Sequence, residues 1–257
     1  MRRRTFLAGG AAVPLRAVQK SPGKAWLVLT WIRLRNSPDE QLRRTSEFLT
    51  GSLLPALKRA GAGPVGLFNQ LIGQQSPAIL TLAAYPGFAH LERVGQALEQ
   101  DPEYRKAAAE FYGRRGLAYQ RLESSLLRAF EAMPRVEPPP AGGRQTPRIF
   151  ELRTYESDNP PTLRRKIDMF EQGEIALFRR LGMLPVFFGE TLIGPRMPNL
   201  TYMLAFDSLA AREKAWQTFA QDPEWQKMRV KPGWADAEIV SNISSSLLRP
   251  LAASEIG

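Results

Sequence analysis

The sequence predicts an α+β protein built from two copies of one β-α-β-β-α-β unit. Three observations carry the prediction. Shifted by 121 residues, the chain matches itself. A proline-rich segment separates the two matching stretches. Within each stretch, short β-branched and aromatic runs alternate, in the same order, with segments of helical apolar spacing. The match needs no gap from Leu42 to Arg128: Leu42-Arg43-Arg44 meets Leu163-Arg164-Arg165, and Leu71-Ile72-Gly73 meets Leu192-Ile193-Gly194. Gln100-Asp101-Pro102-Glu103 meets Gln221-Asp222-Pro223-Glu224, and Ser125-Leu126-Leu127-Arg128 meets Ser246-Leu247-Leu248-Arg249. Such a constant register is the mark of a duplicated supersecondary unit.

In the second copy, positions 149–155 read as a strand because β-branched and aromatic residues dominate them. Asn159-Pro160-Pro161 opens a helix, since proline is tolerated in a first turn. Leu163, Ile167, Phe170, Leu177 and Leu181 follow at helical spacing, and Gly182 stands where a helix stops. Positions 185–193 and 200–206 read as a strand pair around the turn-rich 194–199. Asp207-Ser208 caps a second helix carrying Leu209, Ala215, Trp216 and Phe219, with an interruption at Asp222-Pro223. A last strand is expected over 237–248. The first copy gives strand 26–34, helix 39–60, strands 65–72 and 79–85, helix 87–112 and strand 118–127. This is the ferredoxin-like order, an antiparallel sheet with helices on one face. The bare face needs a cover. The prediction is therefore two ferredoxin-like βαββαβ repeats packed sheet to sheet as a barrel-like pseudo-dimer, helices outside.

The boundaries follow from composition. Residues 1–23 read as an export signal or a leader: Arg3, Arg4, Phe6 and Leu7 resemble a twin-arginine signal, followed by a weakly apolar stretch to Val13. If the leader is a signal, the protein is exported to a periplasm; if not, it is cytoplasmic. Repeats are expected over 24–133 and 148–257, joined by a linker over 134–147 whose three consecutive prolines favour extended backbone.

Composition narrows function by exclusion. The chain has 257 residues and no cysteine, so disulfides, thiolate metal sites and cysteine nucleophiles are ruled out. Its single histidine, His90, cannot build a multi-histidine metal site within one chain. No apolar run is long enough to span a membrane. The net charge of +10 invites a nucleic-acid reading. Basic residues alternate with acids and match no nucleic-acid module, so no nucleic acid is expected.

Ile149-Phe150-Glu151-Leu152-Arg153-Thr154-Tyr155 resembles the opening strand of NIPSNAP domains. Pro223-Glu224-Trp225, after Trp216 and Phe219, is similar to their second-helix pattern, and Pro185-Val186-Phe187-Phe188-Gly189-Glu190 to their second strand. The resemblance covers 149–250 well and 26–130 more weakly, because Thr30, Ile32, Leu34 and Tyr104 replace Glu151, Arg153, Tyr155 and Trp225. It implies a dimeric α-β barrel fold, here as a tandem pair. It also implies kinship with eukaryotic proteins tied to membranes, vesicle traffic or mitochondrial signalling, and with exported bacterial proteins. The wider superfamily includes cofactor-free monooxygenases and haem enzymes, whose activities need residues of their own.

Strand alternation puts Glu151, Arg153 and Tyr155 on one face and Phe150, Leu152 and Thr154 on the other. The apolar set is expected to face the helices and the polar set the space between the sheets, with Glu190 and Tyr202 joining it. These five are the ligand-binding candidates, and Glu151 or Glu190 with a raised pKa would serve as general base. The competing reading is an ion pair closing the barrel end. His90 is read as a surface residue in preference to a haem ligand. No metal or cofactor is called for. The two readings left open are a non-catalytic binding or scaffold protein and a cofactor-independent monooxygenase- or isomerase-like enzyme. A polar small molecule, a protein, or further copies of the chain would be the partner.

Overall fold

Every strand of the protein finds a partner on both sides. In the computed structural model, which describes residues 23–36, 40–142 and 146–257, eight antiparallel strands close a barrel. The first half supplies β1 (Trp26–Arg33), β2 (Val65–Ile72), β3 (Ala78–Tyr85) and β4 (Arg121–Ala129); the second supplies β5 (Ile149–Glu156), β6 (Leu184–Ile193), β7 (Asn199–Phe206) and β8 (Asn242–Pro250). Around the barrel the order is β1-β3-β2-β8-β5-β7-β6-β4, with β4 returning to β1. The halves are thus joined edge to edge by hydrogen-bonded ladders, β2 to β8 and β4 to β6. Closure of this kind leaves no exposed edge. It is a tighter union than two sheets laid face to face. Each seam shifts register once, opposite Gln70/Ile72 and opposite Thr191/Ile193, which are equivalent places in the duplication. Gly189 lets the strands approach closely at one seam, since a Cβ there would lie 3.0 Å from that of Leu127.

The helices lie outside. In the first half, α1 (Gln41–Phe48) runs through a π-turn at Leu49–Leu53 into α2 (Leu54–Arg59). In the second, α5 (Pro160–Met169) runs through a π-turn at Phe170–Glu174 into α6 (Ile175–Arg180). The other predicted helices are each broken in two: α3 (Phe88–Gln100) and α4 (Pro102–Gly113), α7 (Leu209–Gln221) and α8 (Pro223–Met228). The break has a cause. Asp101 and Asp222 turn their carboxylates onto the amides of Tyr104 and of Glu224 and Trp225, so each caps a new helix with proline at its start. The last strand also starts later than expected. Positions 236–239 form the short helix α9 (Asp236–Ile239), and pairing with β5 begins only at Asn242.

Three apolar cores result. One fills the barrel, with Leu27, Phe68, Leu82, Phe150, Phe187 and Met203 among its members. The other two lie between each half's outer sheet face and its helices. The segment between the halves is bound to this frame: Val136 is buried in the barrel core, and Glu137 donates its amide to the Val186 carbonyl. Arg3, Arg4, Phe6 and Leu7 lie outside the described residues.

Candidate functional site

The alternation along β5 holds, but its two faces are the reverse of the expectation. Phe150 and Leu152 point into the barrel, and Tyr155 and Tyr202 belong to the core beneath the helices. The reason is closure. An eight-stranded barrel buries its interior on all sides, so apolar side chains fill it. The polar set goes where helices can bring partners to it.

Glu151 meets those partners. Its carboxylate is fully buried and accepts from five donors: Arg212 Nε and Nη2 at 2.7 Å each, Trp216 Nε1 at 2.7 Å, Ser245 Oγ at 2.8 Å and Arg153 Nη1 at 3.0 Å. Two of those residues come from α7, one from β8 and one from β5 itself. A carboxylate offers about four lone-pair sites, so none is left for a substrate. Burial pushes the Glu151 pKa up, yet the Arg212 bonds, the Arg153 charge and the Trp216 and Ser245 bonds together hold it below the usual range. The expectation was a raised pKa and a general base at Glu151; instead the carboxylate is held below its usual range and its lone pairs are occupied, which makes it a weak base with no free site to take a proton.

Arg153 extends the network. It lies 4.7 Å from the Trp216 ring centre, and its Nη2 donates to the Tyr155 hydroxyl at 3.2 Å. The fully buried Tyr202 hydroxyl in turn donates to Tyr155 at 3.2 Å, and burial drives the Tyr202 pKa well up. Glu190 does not join. It stands apart, 3.5 Å from Arg164 on α5.

On the far side of Tyr155 sits Lys166, also fully buried. Its Nζ donates to Asp236 at 3.0 Å and to Glu174 at 3.5 Å, among the rings of Phe170 (5.0 Å), Tyr155 (5.2 Å) and Trp225 (5.9 Å). Burial opposes its charge, but Glu174 and Asp236 outweigh it and raise its pKa, while burial pushes that of Glu174 up. Sequence reasoning missed both residues. The signal was present: Leu163, Lys166, Ile167, Phe170 and Glu174 share one helical face, so two charges interrupt an apolar stripe.

His90 donates or accepts at both ring nitrogens, with the Gly61 carbonyl 3.0 Å from Nε2 and Arg93 Nη2 3.2 Å from Nδ1. It ties α3 to the end of α2.

Open recesses lie elsewhere, among them a pair at the barrel end that carries the β2–β3 and β6–β7 hairpins. Two recesses of about 250 and 300 Å³ share Trp31, Arg33, Gln74, Leu152, Thr154 and Arg196. Inward from this mouth the barrel is filled, with the Phe68 and Phe150 rings 5.0 Å apart. Ile256, near the C-terminus, packs beside Gly66 in the same filled core. The mouth thus combines two cations with short polar side chains over an apolar floor. Among the described residues no group of acidic or histidine side chains is arranged to hold a metal ion, and no helix is long and apolar enough to cross a membrane.

The NIPSNAP family model matches residues 150–255. Among solved structures, a candidate monooxygenase from Fusobacterium nucleatum subsp. nucleatum is 7% identical with a TM-score of 0.58, over 89% of this chain and 93% of its own. Another, from Lactobacillus acidophilus, is 9% identical with a TM-score of 0.58, over 88% of this chain and 94% of its own. An uncharacterised NIPSNAP-like domain protein from Burkholderia xenovorans is 22% identical with a TM-score of 0.37, over 41% of this chain and 86% of its own. No curated protein matches the sequence. At these identities the likeness is one of fold.

Proposed function

For a chain whose residues 150–255 belong to the NIPSNAP family, we propose a non-catalytic binding protein that takes a small polar molecule in the open end of its barrel. One observation carries the reading. The charged cluster around Glu151 has spent its hydrogen bonds internally, whereas the barrel mouth is an open recess lined by polar and cationic side chains. Pockets that hold small ligands combine an apolar surface with a few placed polar groups, and the mouth has that make-up. The Glu151 cluster acts as a structural clamp between sheet and helices. The reading of each half as a ferredoxin-like unit is supported by their common element order. Export through the twin-arginine type leader remains part of the proposal and rests on Arg3, Arg4, Phe6 and Leu7 alone.

The test is native mass spectrometry of the full chain purified from its own host, beside two variants that block the mouth. Gln74 lies in an exposed turn at the rim and Ser125 on its wall, so Gln74→Trp and Ser125→Trp fill the recess from different sides. The expected result is an added small-molecule mass that both variants lose while keeping the native unfolding midpoint. A bound mass that both folded variants retain would overturn the reading.

The second reading, a cofactor-independent monooxygenase, draws support from the fold shared with the two candidate monooxygenases. Oxygen uptake on addition of the co-purified molecule would favour it over simple binding.

A further inference from the structure

The mouth is graded from floor to rim. Its floor is Leu29, Leu127 and Leu152, each 6% exposed or less. Above lies a belt of short polar side chains already bonded to one another. Thr154 and Thr201 share a hydrogen bond of 2.9 Å, Thr191 donates to Asn199 Oδ1 at 2.6 Å, and Asn199 Nδ2 donates to the carbonyls of Pro195 and Arg196. The rim carries Arg33, Arg196 and Glu123. Arg33 lies with Cζ 4.4 Å from the Trp31 ring centre, gives Nε to Glu123 at 3.1 Å and Nη1 to the Gln74 carbonyl at 3.1 Å. Arg196 gives Nη1 to Ser244 Oγ at 3.0 Å and stands 4.0 Å from Glu156. These contacts hold both guanidinium groups in place through part of their hydrogen-bonding capacity. A guanidinium has five N–H donors, so each retains capacity for an anion.

We infer that the mouth binds a small monocarboxylate with an apolar body, seated body-down on the three leucines with its carboxylate at Arg33 and Arg196. This rests on the mouth being the ligand site and adds the chemical class. Two lining guanidinium groups against one lining carboxylate leave a single positive charge at the rim. A monoanion matches it better than a phosphate ester, which carries about −1.5 to −2 at neutral pH. The planar fork of arginine also fits the two oxygens of a carboxylate. The floor favours an apolar body, because Leu29, Leu127 and Leu152 offer it no hydrogen-bond partner and a polar body seated there would lose its bonds to water.

The duplication strengthens the case. Arg33, Trp31 and Arg196 have Thr154, Leu152 and Gln75 as their repeat counterparts, and all six line the mouth. Gln75 and Arg196 even share a left-handed backbone, with φ of 56° and 59° at matching hairpin positions. The two-fold likeness of the mouth is broken by charge while the backbone is kept. A ligand would therefore be held in one orientation.

The experiment is calorimetric titration of the full chain with phenylacetate and with its uncharged analogue phenylacetamide, repeated on Arg196→Gln. Arg196 is an exposed hairpin residue, so its variant is expected to keep the native unfolding midpoint. Phenylacetate is expected to bind about tenfold or more tightly than the amide, the scale of a charge-assisted hydrogen bond, and R196Q is expected to remove a large part of that preference, the remainder staying with Arg33. Equal binding of acid and amide, or an acid affinity unchanged in R196Q, would overturn the carboxylate assignment. Failure of both probes to bind would overturn it as well. The mouth as ligand site is judged separately, by the co-purified mass and its loss in the two blocking variants.

Discussion

The two halves share a backbone and differ in what they bury beneath their helices. In the second half, Glu151, Arg153, Tyr155, Lys166 and Glu174 form polar networks under α5 and α7. At the same five places the first half has Thr30, Ile32, Leu34, Thr45 and Leu53. Arg212 and Trp216 become Leu91 and Gly95. What survives in both halves is the frame: the π-turns, the helix breaks at Asp101 and Asp222, and the ion pairs Arg59–Asp101 and Arg180–Asp222. Even one remnant of the network is visible, since Thr30 bonds Ser124 at 2.8 Å where Glu151 bonds Ser245. The lesson is that this layer folds with or without the buried Glu151 and Lys166 networks. Its charges are therefore a local solution, held together because none can leave alone.

The largest effect should come from breaking that solution halfway. Glu151→Thr, which installs the first half's residue, leaves Arg153 and Arg212 facing an empty place. The expected loss is about 3–5 kcal/mol of unfolding free energy, the scale for breaking one side of a buried ion pair. Thr30→Val in the first half should stay within about 1 kcal/mol, the net value of one neutral hydrogen bond. Adding Arg153→Ile to Glu151→Thr should recover part of the loss. Urea unfolding of the three variants beside the native chain checks the contrast, and equal costs in the two halves would break it.

A smaller effect is expected at Lys166. Lys166→Met removes the ammonium that Glu174 faces, but burial already raises the Glu174 pKa, so that carboxyl can take a proton and soften the cost. About 1–3 kcal/mol is expected, the penalty of one unsatisfied buried group. The double variant Lys166→Met with Glu174→Met should be closer to the native protein than Lys166→Met alone, because apolar replacement of a buried pair is often neutral.

The dependence on pH sharpens the comparison further. The folded Glu151 pKa is depressed, so its contribution is present above the ordinary glutamate value of 4.5 and is lost as pH falls through the folded pKa. The folded Lys166 pKa is raised, so its contribution is full below the ordinary lysine value of 10.5 and is lost as pH rises through the folded pKa. Glu174, raised, works against Glu151 in acid. Unfolding midpoints followed across pH should therefore decline at both extremes, and Glu151→Thr should flatten the acid limb. An acid limb unchanged in that variant would contradict the assignment of Glu151.

The smallest effect is reserved for what the halves share. Arg59→Ala and Arg180→Ala remove ion pairs of the same form, in which the arginine is exposed and the aspartate is tucked beneath it. Each should shift the thermal midpoint slightly and by a similar amount, since exposed pairs contribute little. Unequal shifts would mean that the network in the second half reaches Arg180.

Much of this was legible in the sequence. A constant offset of 121 residues gave the duplication, and strand and helix patterns gave the element order. Alternation separated Glu151, Arg153 and Tyr155 from Phe150, Leu152 and Thr154, but alternation is symmetric and carries no label for inside. The barrel's demand for apolar filling decides the side, and it acts through all eight strands at once. The partners of Glu151 were hidden for a related reason. Ser245 lies 94 positions away and Trp216 lies 65 away, so only register and helix placement bring them together. The mouth was hidden too, because Arg33 and Arg196 belong to different halves and line one recess only once the barrel closes.

The most direct test of the account takes Glu151→Gln, nearly the same in shape, and reads two quantities from one preparation. These are the urea unfolding free energy and the native mass of the chain from its own host. The account predicts a loss of about 3–5 kcal/mol with any co-purified small molecule still bound, because the carboxylate is a clamp and the ligand sits in the mouth. Unfolding free energy unchanged, with the bound mass gone, would show that Glu151 holds the ligand and would contradict the account.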